Sequence, residues 1–236
     1  MNIIILSKND FIEGTKRVRI HDHRLKHILE VNKSSVGDEL RVGLVNGKIG
    51  YGRITRIEEN GVEMDVVLDR EPPAPLQCTL IFSMVRPRVF KRVITQVSAM
   101  GIKKIIVINS YRVEKSFWKS PVLETDRLYK YLIMGLEQGQ DTIVPEVVIR
   151  PLFKPFVEDE LPGIIKGTLP FVAHPYASEQ CPYNIGSPVT LAVGPEGGFI
   201  PYEVEKLIEC GFTAVHLGER TLPVESAISG LISRLV

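Results

Sequence analysis

Three short segments hold residues whose types and spacing suit chemistry. The first is Gly194-Pro195-Glu196-Gly197-Gly198-Phe199, directly after the apolar run Leu191-Ala192-Val193. The apolar run reads as a buried strand with no polar face. The glycines allow backbone conformations closed to other residues and let a ligand approach the main chain. Pro201 and Glu203 then open a helical pattern, with proline at a tolerated first-turn position. Strand, glycine loop and helix start together suit a nucleotide-like ligand at the carboxyl end of a strand. The spacing is neither GxGxxG nor GxxxxGK[ST], so the ligand expected is another nucleotide-like molecule. The second segment, Leu217-Gly218-Glu219-Arg220-Thr221-Leu222, also lies between a strand and a helix. The third, Phe171-Val172-Ala173-His174-Pro175, ends a strand in an imidazole. Three strand ends of one parallel sheet can converge on one ligand. His174 also reads as a structural or solvated histidine, and Glu219-Arg220 as a surface pair.

The elements that must position these loops lie in the second part of the chain. Cys78–Met84, Lys104–Asn109, Leu169–Ala173, Val189–Val193 and Thr213–Leu217 read as strands. Val89, Phe90, Val93, Ile94, Val97 and Met100 fall at helical spacing, and Gly101 stops that helix. Glu124–Leu136, Pro201–Cys210 and Val224–Leu235 read as further helices. Strands alternating with helices predict an α/β fold with a parallel sheet. Residues 1 to about 70 differ. Alternating segments over 37–45, 48–57 and 61–68 are separated by Asn46-Gly47 and Asn60-Gly61, with one helix around His23–Val31. That pattern predicts a small barrel. Asp69-Arg70-Glu71-Pro72-Pro73-Ala74-Pro75 cannot continue a helix or a central strand. The expected domains are therefore 1–71 and 76–236.

Hydrophobic residues make up 44% and charged residues 24% of the 236, which fits a soluble globular protein. The net charge of +1 says nothing about partners, but its distribution does. Residues 86–119 carry nine Lys/Arg against Glu114, and 16–33 carry six against Asp22 and Glu30, with three histidines added. Two such tracts can present a cationic face to a polyanion, or can be solvated surface. Cys78, Cys181 and Cys210 are scattered, which fits buried thiols in a reducing compartment, and no metal site is expected. The amino terminus has no signal-peptide pattern and no run approaches a membrane span, so a cytoplasmic protein with no membrane partner is expected.

The combination of motifs is specific. Gly194-Pro195-Glu196-Gly197-Gly198-Phe199, the following Pro-x-Glu-Val, Leu217-Gly218-x-Arg220-x-Leu222 and Glu225-x-Ala227 resemble the RsmE family. Its members are bacterial 16S ribosomal RNA uridine-N3 methyltransferases of the SPOUT class. The resemblance runs over the whole chain: His27-Ile28-x-x-Val31 and Gly37-Asp38 in the first part, and Met100-Gly101-Ile102, Glu137-Gln138 and Val144-Pro145-Glu146 in the middle, match similar runs. It implies a PUA-like β-barrel that binds RNA, followed by a SPOUT domain with a C-terminal trefoil knot. It also implies S-adenosylmethionine as cofactor, a homodimer formed through the knot, and 16S ribosomal RNA of the small subunit as partner.

On this resemblance the cofactor is expected against His174, Val193, Gly194, Pro195, Glu196, Gly197, Gly198, Leu217, Gly218, Leu222 and Ala227. Methylation at N3 of uridine needs that nitrogen deprotonated, by a base or beside a cation. Arg220, Glu225 and Glu196 are the candidates, although Glu225 also suits a helix start facing the macrodipole and Glu196 can simply brace its loop. Arg86, Arg88, Arg92, Arg112, Lys115, Arg24 and His27 are the candidate RNA contacts. The chain departs from the family on the substrate side: Pro223 stands where a second arginine is usual, and Gln96 to Ile102 lacks a lysine and a glutamate. Another target base, a ribose 2′-hydroxyl, or a non-catalytic RNA-binding ribosome-assembly role are the alternatives.

Overall fold

In the computed structural model, which describes residues 2–236, the chain forms two compact units. The first comprises residues 1–74 and 132–144, the second 75–131 and 145–236. The division thus falls at three places along the chain, the first at the end of the proline run. The helix Thr125–Gly139 gives its carboxyl half, from Leu132, to the first unit. Leu136 is fully buried there with Ile3, Ile5 and Ile49, and the Asn2 amide donates to the Glu137 carbonyl. An amphipathic pattern predicts that a helix buries a face, not which body receives it.

The first unit is a five-stranded sheet in the order β1-β3-β4-β5-β2. Its strands are β1 (Ile4–Leu6), β2 (Arg17–Ile20), β3 (Glu39–Leu44), β4 (Ile49–Glu58) and β5 (Gly61–Arg70). The alternating segments supply β3, β4 and β5. β1 pairs in parallel with β3, a partnership that its three apolar residues do not announce. Alternate residues Val42, Ile54, Val62, Met64 and Val66 bury one face against Leu6, Ile20 and Ile28. Ile28 belongs to the expected helix, which is α-helical over His23–Lys26 and a π turn over His27–Val31.

The second unit is built on a seven-stranded parallel sheet. Its strands are β6 (Cys78–Ser83), β7 (Lys104–Ile108), β8 (Glu146–Arg150), β9 (Leu169–Ala173), β10 (Glu179–Gln180), β11 (Val189–Val193) and β12 (Thr213–His216). The order is β10-β12-β9-β11-β6-β7-β8, so β12 crosses β9 and lies on its far side from β11. This is the α/β parallel sheet expected from alternating strands and helices. β11 is buried along its whole length, as an apolar run between two strands must be. The helix Pro87–Ala99 buries Phe90, Val93, Ile94 and Val97, which lie on one stripe at helical spacing. Helices Pro201–Glu209 and Val224–Leu235 complete the frame of the site. Among the described residues no helix is long and apolar enough to cross a membrane.

Candidate active site

The register of the sheet sets the site. Val193 pairs with Ala173, and Ala173 with Val215, so β11, β9 and β12 end level with one another. Their following loops therefore emerge side by side, and between them lies a cavity of about 340 Å³. That size is within the ~300–1,000 Å³ of small-molecule sites. His174 and Tyr176 border it after β9, Gly194 to Phe199 after β11, and Leu217, Gly218 and Arg220 to Pro223 after β12. Val224, Ala227 and Leu231 close it from the last helix.

The first glycine loop is fastened from several directions. The Gly198 amide donates to the Pro195 carbonyl at 2.8 Å, and Gly198 is in the left-handed region at φ 71°. A Cβ on Gly194 would lie 2.8 Å from the Phe199 amide nitrogen, so only glycine fits there. Phe199 is buried in the core of the unit. The Glu196 carboxylate accepts from the Arg86 amide at 3.0 Å, and the Arg112 guanidinium donates to the Gly197 carbonyl. Glu203, 3% exposed, accepts from the Ile200 amide at 2.9 Å and from the Tyr111 amide at 2.7 Å. One buried carboxylate thus holds both the start of helix Pro201–Glu209 and the segment carrying Arg112.

The second loop is held differently. The Gly218 amide donates to His216 Nδ1 at 3.0 Å, and Gly218 has φ 126°. Glu219 to Pro223 are exposed, including Leu222 at 41%. His174 accepts from the Tyr176 amide through Nδ1 at 3.3 Å, and its own amide donates to the Val215 carbonyl at 3.0 Å. The walls thus combine apolar side chains (Val193, Leu217, Leu222, Ala227 and Leu231) with main-chain groups and the arginines Arg112 and Arg220.

Such a cavity suits a flat, weakly charged ligand, and comparison with known proteins identifies its family. Residues 72–236 match the family model described as an RNA methyltransferase domain. The chain belongs to the RNA methyltransferase family. A ribosomal RNA small subunit methyltransferase E of Treponema pallidum is 27% identical over 234 residues, covering 96% of this chain and 87% of that protein. The relative called methyltransferase E 1 in Borreliella burgdorferi is 25% identical over 230 residues, covering 96% and 94%. Among solved structures, methyltransferase E of Neisseria gonorrhoeae bound to S-adenosyl methionine matches with TM-score 0.72 at 22% identity, over 98% of this chain and 94% of that one. A methyltransferase of Legionella pneumophila in complex with the same cofactor matches with TM-score 0.72 at 20% identity and the same coverage. The resemblance drawn from the motifs is borne out.

In this RNA methyltransferase every residue expected at the cofactor borders the one cavity. Arg220 borders it too, with its side chain exposed. Glu196 is at the rim but engaged by Arg86. Glu225 does not border the cavity: it sits in the first turn of Val224–Leu235 and pairs with Arg92 at 2.7 Å. A helix-start role for Glu225 therefore fits its surroundings better than that of a base.

The expected RNA contacts divide. Arg86, Arg88 and Lys115 are exposed, and Arg92 is exposed but tied to Glu225. Arg112 belongs to the cavity wall. Arg24 is corrected: it is 8% exposed and its guanidinium is held by Asp10 at 2.7 Å and Asp22 at 2.8 Å, with the Ile5 carbonyl accepting a further bond. Those two carboxylates hold Arg24 protonated, against the burial that opposes its charge. It is a structural cation of the first unit. His27 is half-buried in the π turn. Sequence reading missed His216, Tyr176 and Arg112 as cavity residues. His216 had a signal, since it closes a strand just before Leu217-Gly218; Arg112, 85 residues from Gly197, had none.

Proposed function

We propose that this chain transfers a methyl group from S-adenosylmethionine to N3 of a uridine in the 16S ribosomal RNA of the small subunit. The observation that carries the reading is the convergence of three strand ends and two glycine loops on one cavity with apolar walls and main-chain donors. That lining fits the cofactor: an uncharged adenine ring needs apolar surface and backbone partners, and the glycines admit close approach. Val193, Gly194 to Gly198, Leu217, Gly218, Leu222, Ala227 and His174 would hold it. When bound, the sulfonium supplies an electrophilic methyl group.

The work left to the protein is positioning and charge. Uracil N3 must lose its proton before it can bond to carbon, and the Arg220 guanidinium at the cavity is suited to stabilise the resulting imide anion. The proton then leaves to solvent, and Glu196 at the cavity rim braces the loop by accepting from the Arg86 amide. Glu225 acts as a positioning residue that holds Arg92. Arg86, Arg88, Arg112 and Lys115 belong to the face that meets the RNA.

Three further features belong to this reading. The crossing of β12 over β9, with the last helix returning beside β11, supports a trefoil knot. Exposed Leu222 on that segment supports a homodimer formed through it. The five-stranded first unit with its short helix supports a PUA-like barrel. The place of action is the cytoplasm, where ribosomal RNA is. Pro223, in place of an arginine beside the cavity, favours a second reading in which another base or a ribose hydroxyl is the acceptor. The test is to incubate the protein with labelled cofactor and small-subunit ribosomal RNA from a deletion strain. Nucleoside mass spectrometry should find 3-methyluridine. A methyl on another atom selects the second reading, and no cofactor binding by calorimetry overturns both in favour of a non-catalytic RNA-binding protein.

A further inference from the structure

The first unit has a cavity of its own, of about 380 Å³, bordered by Arg41, Arg70, Glu71, Gln138 and Gln140. Neither basic tract of the sequence contains any of these residues. Beside it, Arg41 on β3 stands directly opposite Tyr51 on β4. The Arg70 guanidinium lies over the Tyr51 ring, 4.8 Å from its centroid. Two cations therefore converge on a neutral phenol, and they hold it below the ordinary tyrosine range.

Nothing nearby neutralises this pair fully. Arg41 makes no ion pair among the described residues. Asp69 approaches Arg70 only to 3.8 Å, with both side chains about half exposed, a geometry that contributes little. Glu71, the carboxylate in the cavity wall, is taken by Lys48 at 3.1 Å. Holding like charges together costs free energy, and an anion placed between them recovers it. Planar guanidinium groups match phosphate with two parallel hydrogen bonds, and stacking on Tyr51 fixes one of them in advance. The amides of Gln138 and Gln140 can each offer a donor and an acceptor to the edge of a base.

We propose that this face binds one nucleotide of a single-stranded RNA, with its phosphate between Arg41 and Arg70 and its base in the cavity edged by Gln138 and Gln140. The shared chemistry, a phosphate joined to a planar base, also describes a free nucleotide. The choice of RNA rests on the proposed function above; the chemistry of the site does not.

The experiment is fluorescence anisotropy of a labelled single-stranded oligouridylate across a salt series, without S-adenosylmethionine. The double variant R41A/R70A should bind about tenfold more weakly, and the dependence of log K on log salt should shallow by about one. R41K/R70K should restore the salt dependence and only part of the affinity, because lysine keeps charge but loses the bidentate fork. Unchanged oligomer binding in R41A/R70A at every salt concentration overturns the proposal. Calorimetry with uridine 5′-monophosphate is the second arm: loss of that binding alone, with oligomer binding intact, overturns RNA as the source. Cofactor calorimetry on the same variants separates the two readings. Cofactor affinity should not change, and a chain that never binds cofactor yet loses RNA with these arginines sinks the proposed function and leaves this site standing.

Discussion

The two loops that face each other across the cavity are built on opposite plans. Gly194 to Phe199 is tied down by a buried aromatic ring, by Arg86, by Arg112 and, through Glu203, by two further amides. Leu217 to Pro223 is anchored by one bond, from the Gly218 amide to His216, and most of its residues are exposed. The difference divides the labour. On the proposed function, a loop that only holds the cofactor gains from preorganisation, whereas a loop that also meets a large substrate gains from room to adjust.

The largest test of the contrast is Gly194→Ala. The added methyl would meet the Phe199 amide nitrogen at 2.8 Å, and backbone cannot step aside as a flexible side chain can. Overpacking of this kind costs roughly 1–3 kcal/mol, and at the cofactor wall it should lower affinity by about tenfold or more. Calorimetry reads the affinity and thermal unfolding the stability; an unchanged affinity would mean that the loop is not rigid. Gly218→Ala is the matching change on the other wall. There a Cβ meets nothing within 4 Å, so only backbone strain at φ 126° opposes it, and its effect on affinity should be the smaller of the two.

Next is Glu203→Gln. The carboxylate accepts two amide hydrogens, and an amide side chain would turn an N–H toward one of those donors. A loss of about 1–3 kcal/mol is expected, or roughly 3–10 °C in the unfolding midpoint of a chain of this size. Cofactor affinity should fall with it, because the same residue fixes Tyr111 next to Arg112. A stability loss with no change in affinity would detach Glu203 from the wall. His216→Phe probes the weakly held loop. It removes one neutral acceptor, worth about 1 kcal/mol, so cofactor affinity should fall about fivefold. A loss as large as that of Gly194→Ala would erase the contrast between the loops.

These residues also mark what the sequence makes legible. The rigid loop is readable because its determinants are local: an apolar strand, then glycines, then a proline at a helix start. The parallel sheet is readable for the same reason, since β11 is apolar throughout and Phe90, Val93, Ile94 and Val97 share one helix face. What cannot be read is which distant group completes an interaction. Arg24 and Arg86 are both arginines in basic tracts, but one is buried between Asp10 and Asp22 and the other lends its amide to Glu196. Arg112 lies far along the chain from Gly197, and the return of Leu132–Val144 to the first unit depends on partners as remote as Ile3. Charge and periodicity report a residue's needs, and the fold decides who meets them.

The smallest expected effect is the most informative about substrate. Pro223 is exposed at the start of the last helix, with φ −54°, a conformation open to any residue. Pro223→Arg should therefore fold normally and leave cofactor affinity within about twofold, since no cofactor-wall bond changes. It places a second cation beside Arg220 on the adjustable loop. If that loop meets RNA, affinity for ribosomal RNA should rise about threefold and the salt dependence should steepen by somewhat under one. If cofactor affinity changes and RNA affinity does not, the loop serves the cofactor alone, and the two walls differ in stiffness without differing in task.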